Sequence, residues 1–212
     1  PAATAEAAPA RVAPPTCTYS TYAWSSSERR AVDHRRVSKA YADVTDDERS
    51  PLDPRCTVCE EDQRWVRVDG AEATQVCWAY ADAVRVALEN IVATGAFEVR
   101  EFVGYRPGRT RGAIVDGRRT GWSNHAFGTA VDLNASHNGL YRGCAVSEVT
   151  PQTIRGCQLG VGGAWDPARN PRLTIDRDGV VYDQFVNVVG WRWGGEIAGS
   201  TRDLMHFSLD GY

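Results

Sequence analysis

One ten-residue stretch, Ser123-Asn124-His125-Ala126-Phe127-Gly128-Thr129-Ala130-Val131-Asp132, sets an imidazole and a carboxylate close together in small and apolar surroundings. Both side chains are good zinc ligands, and a catalytic zinc takes three protein ligands and leaves its fourth position to water. His125 and Asp132 stand an odd number of positions apart, so one flat strand would aim them at opposite faces. A shared metal needs a bend between them, and Gly128 is where the backbone bends most easily. A third ligand is needed, and the other histidines are His34, His137 and His206. His34 lies among arginines and reads as a solvated surface residue; His137, in Ser136-His137-Asn138-Gly139, reads as a turn residue. His206 is the best candidate. In Asp203-Leu204-Met205-His206-Phe207-Ser208-Leu209, alternation puts Met205, Phe207 and Leu209 on one apolar face and turns His206 to the other. If the chain enters that strand through a turn, Asp203 reaches the water that the metal activates rather than the metal, which is the position of a general base.

The elements that must hold these residues are legible in part. Glu28, Ala31, Val32, Val37, Ala40 and Tyr41 predict a short amphipathic helix from Ser27, ending before the acidic, proline-containing stretch 46–54. Val76, Ala79, Tyr80, Ala83, Val84, Ala87 and Ile91 predict a packing helix from Thr74 to Ala93, stopped by Gly95. Residues 97–105 read as a strand, followed by a Gly- and Arg-rich loop to Trp122 that would rim a cleft. A second strand is expected over Thr129–Leu133, a helix over Gly179–Val189 stopped by Gly190, and a final strand over Leu204–Leu209. Helices and strands in separate blocks suggest an α+β fold, a small antiparallel sheet with flanking helices.

The chain has 212 residues, 42% of them hydrophobic, enough for one domain with a proper core. Residues 1–15 are mostly Ala and Pro and read as a flexible leader. Residues 16–212 read as a single domain, with a Cys-containing N-terminal segment over 16–70 and an insert over 135–174. No apolar run approaches the roughly 20 residues that cross a bilayer. A net charge of −3 gives no general pull toward nucleic acid or an anionic membrane. The six cysteines, Cys17, Cys56, Cys59, Cys77, Cys144 and Cys157, form an even set suited to disulfides in an oxidising compartment, so export is expected. Cys56-Thr57-Val58-Cys59 would be half of a zinc knuckle, but no second paired motif completes it. Cys144 with Cys157 closes a short loop; Cys56 and Cys59 are expected to reach Cys17 and Cys77 rather than each other, because a two-residue spacer closes a strained ring.

Together these residues resemble the LAS zinc peptidases, whose members share Ser-x-His-x-x-Gly-x-Ala-x-Asp and a later acidic-x-x-His. The sequence is most similar to the phage-endolysin and bacterial L-alanyl-D-glutamate peptidase branch, through Gly190-Trp191-Arg192-Trp193-Gly194-Gly195 and Asp203-Leu204-Met205-His206-Phe207. The resemblance spans about 99–209. It implies a LAS fold, one zinc ion on His125, Asp132 and His206, and Asp203 as the base. It also implies that Arg106, in Gly104-Tyr105-Arg106, stabilises the oxyanion, with Ser123, Trp191 and Trp193 near the substrate. The implied activity is hydrolysis of peptidoglycan stem peptides, of the L-alanyl-D-glutamate endopeptidase type. Beside it, the cysteines, charge and hydropathy lead to the expectation of a monomer exported to the exterior or the periplasm, with neither nucleic acid nor membrane as partner. Two alternatives stand beside it: a D-Ala-D-Ala carboxypeptidase using the same ligands, and a non-catalytic zinc module like the hedgehog signalling domains. Arg109, Arg111, Arg118 and Arg119 crowd the loop before the zinc motif, where they would meet stem-peptide carboxylates.

Overall fold

The computed structural model describes residues 11–145 and 149–212; residues 1–10 of the Ala/Pro-rich leader and 146–148 of the expected insert lie outside them. The first sheet begins with β1 (Thr16–Ser25) and β2 (Arg30–Ala40), which pair antiparallel with a bulge between Thr21 and Ala23. The second strand occupies the segment expected to be a helix. Its apolar residues Ala31, Val32 and Val37 are only half-buried, so a helix there would have had little to bury, whereas β1 offers a full ladder of backbone partners. Next come β3 (Gln63–Val66) and β4 (Thr74–Cys77), an antiparallel pair. The helix expected from Thr74 therefore starts later, as α1 (Ala81–Thr94). Val76 is buried in the β3–β4 pair, and Cys77 is bonded to Cys56, so tertiary partners override the helical periodicity at 74–77. Gly95, at φ 61°, closes α1 as expected.

Within residues 97–105 only β5 (Phe102–Val103) is strand; the rest is extended but bonds piecemeal, Glu98 to Arg172 and Val99 to Ala71. The expected loop to Trp122 is a hairpin of β6 (Gly108–Val115) and β7 (Arg118–Trp122). Its tip is Asp116-Gly117, both at positive φ, the turn chemistry that favours two-residue hairpins. This hairpin joins β1 to complete a sheet of order β2-β1-β6-β7, in which β1 and β6 run parallel. The chain continues through β8 (Ala130–Leu133), β9 (Leu140–Arg142), the short α2 (Pro151–Ile154) and β10 (Gln158–Val161). The helix expected over Gly179–Val189 is α3 (Val180–Asp183) running into a π-helical turn, Gln184–Val188, with Gly190 at φ 81° ending it. Last come β11 (Arg192–Trp193), β12 (Arg202–Asp203) and β13 (His206–Ser208).

The sheet that matters for the site has the order β11-β13-β8-β5, all antiparallel. One side of α1, with Val84, Leu88 and Ile91, shares a core with Val131, Leu133, Phe185, Trp191, Trp193 and Phe207. Each such side chain contributes roughly 1.5–3 kcal/mol relative to leaving it exposed. A second cluster gathers Cys17, Val58, Cys59 and Cys77 with Ala126 and Phe127, so the residues following His125 pack against the N-terminal segment. Small, mostly antiparallel sheets with few helices are consistent with α+β. No helix among the described residues is long and apolar enough to cross a membrane. Three disulfides are formed, Cys17–Cys59, Cys56–Cys77 and Cys144–Cys157, the partition expected from the spacing, and they fit an oxidising compartment.

Candidate metal centre

Two of the three expected ligands meet because of strand register. His206 on β13 stands directly opposite Asp132 on β8, and cross-strand partners project to the same face. His125 arrives from the 3-10 turn Asn124–Phe127, which Gly128 ends at φ 66° before β8 begins. This is the bend that the spacing of His125 and Asp132 required. A Cβ on Gly128 would stand 2.1 Å from Gln63 Oε1 and 2.5 Å from the Cys77 nitrogen, so this position admits glycine alone without movement.

The donor atoms converge. His206 Nδ1 lies 2.9 Å from Asp132 Oδ1, His125 Nε2 lies 3.2 Å from Asp132 Oδ2, and the two imidazole nitrogens are 3.2 Å apart. One atom from each residue falls within 4.8 Å of the others, a group that can hold a metal ion. The other His125 nitrogen, Nδ1, is 2.7 Å from the carbonyl of Gly104. Donation from Nδ1–H to that carbonyl leaves the Nε2 lone pair for a cation, the usual arrangement behind a metal-bound imidazole. Gly104 is glycine because a Cβ would lie 2.2 Å from the Gln75 carbonyl oxygen. The nitrogen, nitrogen, oxygen donor set suits zinc, and its crowding around one carboxylate is what a dication would neutralise. Burial pushes the Asp132 carboxyl up, but the two imidazoles outweigh it and hold the group far below the ordinary carboxylate range. Burial lowers His206, yet its hydrogen bond to Asp132 and the nearby carboxylates leave it raised overall. The second metal-like group, Cys17, Cys59 and Glu61, is not a metal site here, because its two thiols are spent on a disulfide.

Asp203 lies on β12, and the chain turns through Leu204 and Met205 before His206 enters β13, the turn on which its reach depended. Its Oδ1 is buried with no hydrogen-bond partner, as is Nε2 of His206. Burial raises the Asp203 carboxyl, a shift that His206 offsets only in part. Gly194 makes the close approach possible: a Cβ there would stand 2.4 Å from the Asp203 carbonyl oxygen and 3.2 Å from His206 Cβ. Trp193 donates its indole N–H to the Leu204 carbonyl at 2.9 Å and pairs with Phe207 across the sheet, so the Trp-Gly-Gly run braces the turn between Asp203 and His206.

Other expected site residues fall elsewhere. Trp191 and Trp193 are 1% and 2% exposed, packed against Tyr80, Phe185 and Tyr182. Their rings are core and offer no face to a substrate, a correction to the sequence reading whose cause is the apolar cluster under β11 and β13. Arg106 bonds its backbone N–H to the His125 carbonyl at 2.8 Å, while its side chain is exposed. Ser123 caps the turn that carries His125; its buried hydroxyl has no partner and lines a cleft of about 390 Å³. That cleft is lined by residues flanking His125 in sequence, not by the three candidate ligands themselves. His137 lies in a turn, as read. The sequence reading missed the Gly104 carbonyl, which the Gly-Tyr-Arg motif signalled without saying how, and the individual role of Arg111, whose charge bears on both Asp203 and His206.

Residues 116–209 match the family model described as D-alanyl-D-alanine carboxypeptidase, which shows the resemblance to LAS-type zinc peptidases over that segment. No curated protein and no solved structure matches the chain. The matched segment contains His125, Asp132, Asp203 and His206.

Proposed function

We propose that the chain is a secreted, monomeric zinc peptidase of LAS fold that cuts an internal L-Ala to D-Glu-type bond in peptidoglycan stem peptides. The observation that carries this is the convergence of His125, Asp132 and His206 near Asp203, whose Oδ1 is buried without a hydrogen-bond partner. In this reading residues 16–212 form one peptidase domain, extended by 16–70 and interrupted by the insert 135–174. His125, His206 and Asp132 would hold the ion, each through one donor atom. A zinc ion held there would supply Lewis-acid chemistry, polarising the scissile carbonyl and making a water acidic enough to attack it. Asp203 takes the proton from the attacking water and delivers it to the leaving amine, a task suited to a carboxylate whose proton affinity burial has raised. Arg106, tied through its backbone to His125, supplies positive charge to the oxyanion, and Ser123 donates to the bound peptide. A purely structural zinc site needs neither a base nor an oxyanion donor, which counts against the non-catalytic reading.

A second reading, D-Ala-D-Ala carboxypeptidase, is favoured by the description of the family model. Digestion of purified peptidoglycan followed by mass spectrometry of the new ends separates the two. An endopeptidase leaves a new N-terminal D-glutamyl or D-isoglutaminyl end, whereas a carboxypeptidase releases free D-alanine. No new ends of either kind would refute both.

A further inference from the structure

The cleft of about 390 Å³ beside His125 has two walls of different origin. One is the β6–β7 hairpin with Arg111 and Trp122; the other is the segment 46–51, which belongs to the N-terminal extension, and both Arg111 and 46–51 lie outside the matched family segment. We propose that this cleft is a substrate subsite that reads a free carboxylate of an acidic peptide through Arg111 and Arg49, with Ser123 as the hydroxyl at its inner end. The inference rests on the peptidase reading and adds to it which part of the substrate is recognised and by what.

The charges in and around the cleft sort themselves by partner. Of the four arginines on the hairpin, Arg109 pairs with Asp47 at 2.8 Å and stacks on Trp122, Arg118 pairs with Asp33 at 2.5 Å, and Arg119 donates to the Gly112 carbonyl at 2.7 Å. Arg111 makes no ion pair among the described residues, is exposed, and lines the cleft. Arg49 also makes no ion pair among them; its guanidinium sits 5.8 Å from the Tyr41 ring centre. The carboxylates there are largely committed. Asp47 accepts from Arg109 and from the Trp122 indole, and Asp210 accepts from Asn124 at 2.7 Å and the Tyr212 amide at 3.0 Å. Asp46 is exposed to solvent, and like Asp210 it has no cationic partner among the described residues. Arg111 and Arg49 thus line the cleft without an ion pair among the described residues, and a planar guanidinium matches a carboxylate in bidentate geometry. The second, independent sign is Ser123. Its hydroxyl is more than nine-tenths buried, lines the same cleft and has no partner, and a buried polar group in that state is satisfied by a ligand or by water. The volume lies in the range of small-ligand sites.

The test uses two synthetic stem peptides that differ only in carrying a free α-carboxylate or an amide on the D-glutamyl residue. Their binding to the zinc-loaded chain carrying Asp203→Asn, which slows turnover, is measured by calorimetry. The acid should bind about tenfold tighter than the amide, the scale of one charge-assisted contact. Arg111→Gln should erase most of that preference and leave amide binding unchanged; Arg111→Lys should retain part of it. Arg49→Gln should reduce it, with Arg49→Lys as the conservative control. Equal binding of the two peptides, loss of both by the same factor in Arg111→Gln, or no binding of either overturns the subsite. Acid-selective binding by a protein that leaves peptidoglycan uncut keeps the subsite and overturns the peptidase reading; cleavage with no acid preference does the reverse.

Discussion

Replacing Gly128 by alanine tests how the fold holds its candidate ligands together. Two costs follow from the structure. The backbone at φ 66° is left-handed, which costs a side-chain-bearing residue about 1–2 kcal/mol. The new Cβ would also stand 2.1 Å from Gln63 Oε1, 2.5 Å from the Cys77 nitrogen and 3.0 Å from the Val76 carbonyl carbon. Gln63 cannot swing clear cheaply, because its amide donates to the carbonyls of Thr57 and Cys59 at 3.0 and 3.1 Å. The Cys77 nitrogen is backbone and already donates to the Gly128 carbonyl at 2.9 Å. Overpacking of this kind adds about 1–3 kcal/mol. A total near 3 kcal/mol corresponds to a fall of roughly 6–12 °C in melting temperature for a chain of this size. Gly95→Ala is the control: its φ is 61°, but a Cβ there meets nothing within 4 Å, so only the conformational cost of about 1–2 kcal/mol remains. Zinc affinity, read by competition with a chromophoric chelator, should fall about 10–100-fold in Gly128→Ala, as when a supporting shell is disturbed, and hold in Gly95→Ala. If both variants melt together with unchanged zinc affinity, the tight packing behind the bend is not what sets the site.

Asp203→Asn should keep its zinc by elemental analysis while kcat/KM falls by about 10² to 10⁴, the usual contribution of a positioned acid-base group; loss of metal instead would make Asp203 a ligand. Burial pushes Glu48 up, but hydrogen bonds from Lys39, Tyr19 and Thr45 more than offset it and hold the group at about 2, against an ordinary 4.5. A depressed carboxylate stabilises the fold above its unfolded pKa and loses that contribution as pH falls toward 2. Denaturant titrations should therefore find Glu48→Gln less stable by about 2 kcal/mol at pH 7, a figure discounted for solvent screening, with the gap closing between about pH 4.5 and 2. A gap that is constant with pH would remove the electrostatic explanation. Thiol titration of the denatured, unreduced protein should read near zero. Replacing Cys144 and Cys157 by serine should cost about 3 kcal/mol in the chain-entropy account, whereas replacing Cys56 and Cys77 should lower zinc affinity as well, because Cys77 backs the Gly128 bend.

The candidate centre was more legible than the elements around it. His125, Asp132, Asp203 and His206 could be read because their chemistry is carried by residue type and spacing, and because the odd separation of the first two already demanded the bend at Gly128. Segment 30–40 misled, since Ala31, Val32 and Val37 fit a helical period as well as a strand; what decided it was β1, a partner whose pairing no local pattern records. The start of α1 slid for a similar reason, with β3 and the Cys56–Cys77 bond claiming residues 74–77. The β6–β7 hairpin was within reach: Asp116-Gly117 between Val115 and Arg118 is a two-residue turn signal that the glycine- and arginine-rich composition obscured. Trp191 and Trp193 were read through family resemblance as substrate contacts, and the same residues prove to be core, since a motif records that a position matters and not whether it faces water.

The N-terminal segment shows why a site compact in sequence still depends on distant chain. Phe127 and Ala126, next to His125, are buried against Cys17, Val58 and Cys59, and Gly128 is pressed between Gln63 and Cys77. Cys77 is bonded to Cys56, which fixes β4 to the segment that also supplies Arg49 to the cleft wall. One disulfide thus ties the proposed carboxylate subsite to β4, which in turn packs against the end of the ligand-bearing turn through the Cys77 N–H to Gly128 carbonyl bond. Within the proposed function, this gives residues 16–70 a role that a separate appendage would not have: they form the back of the His125 turn and one side of the cleft, so catalysis and recognition share a single rigid support.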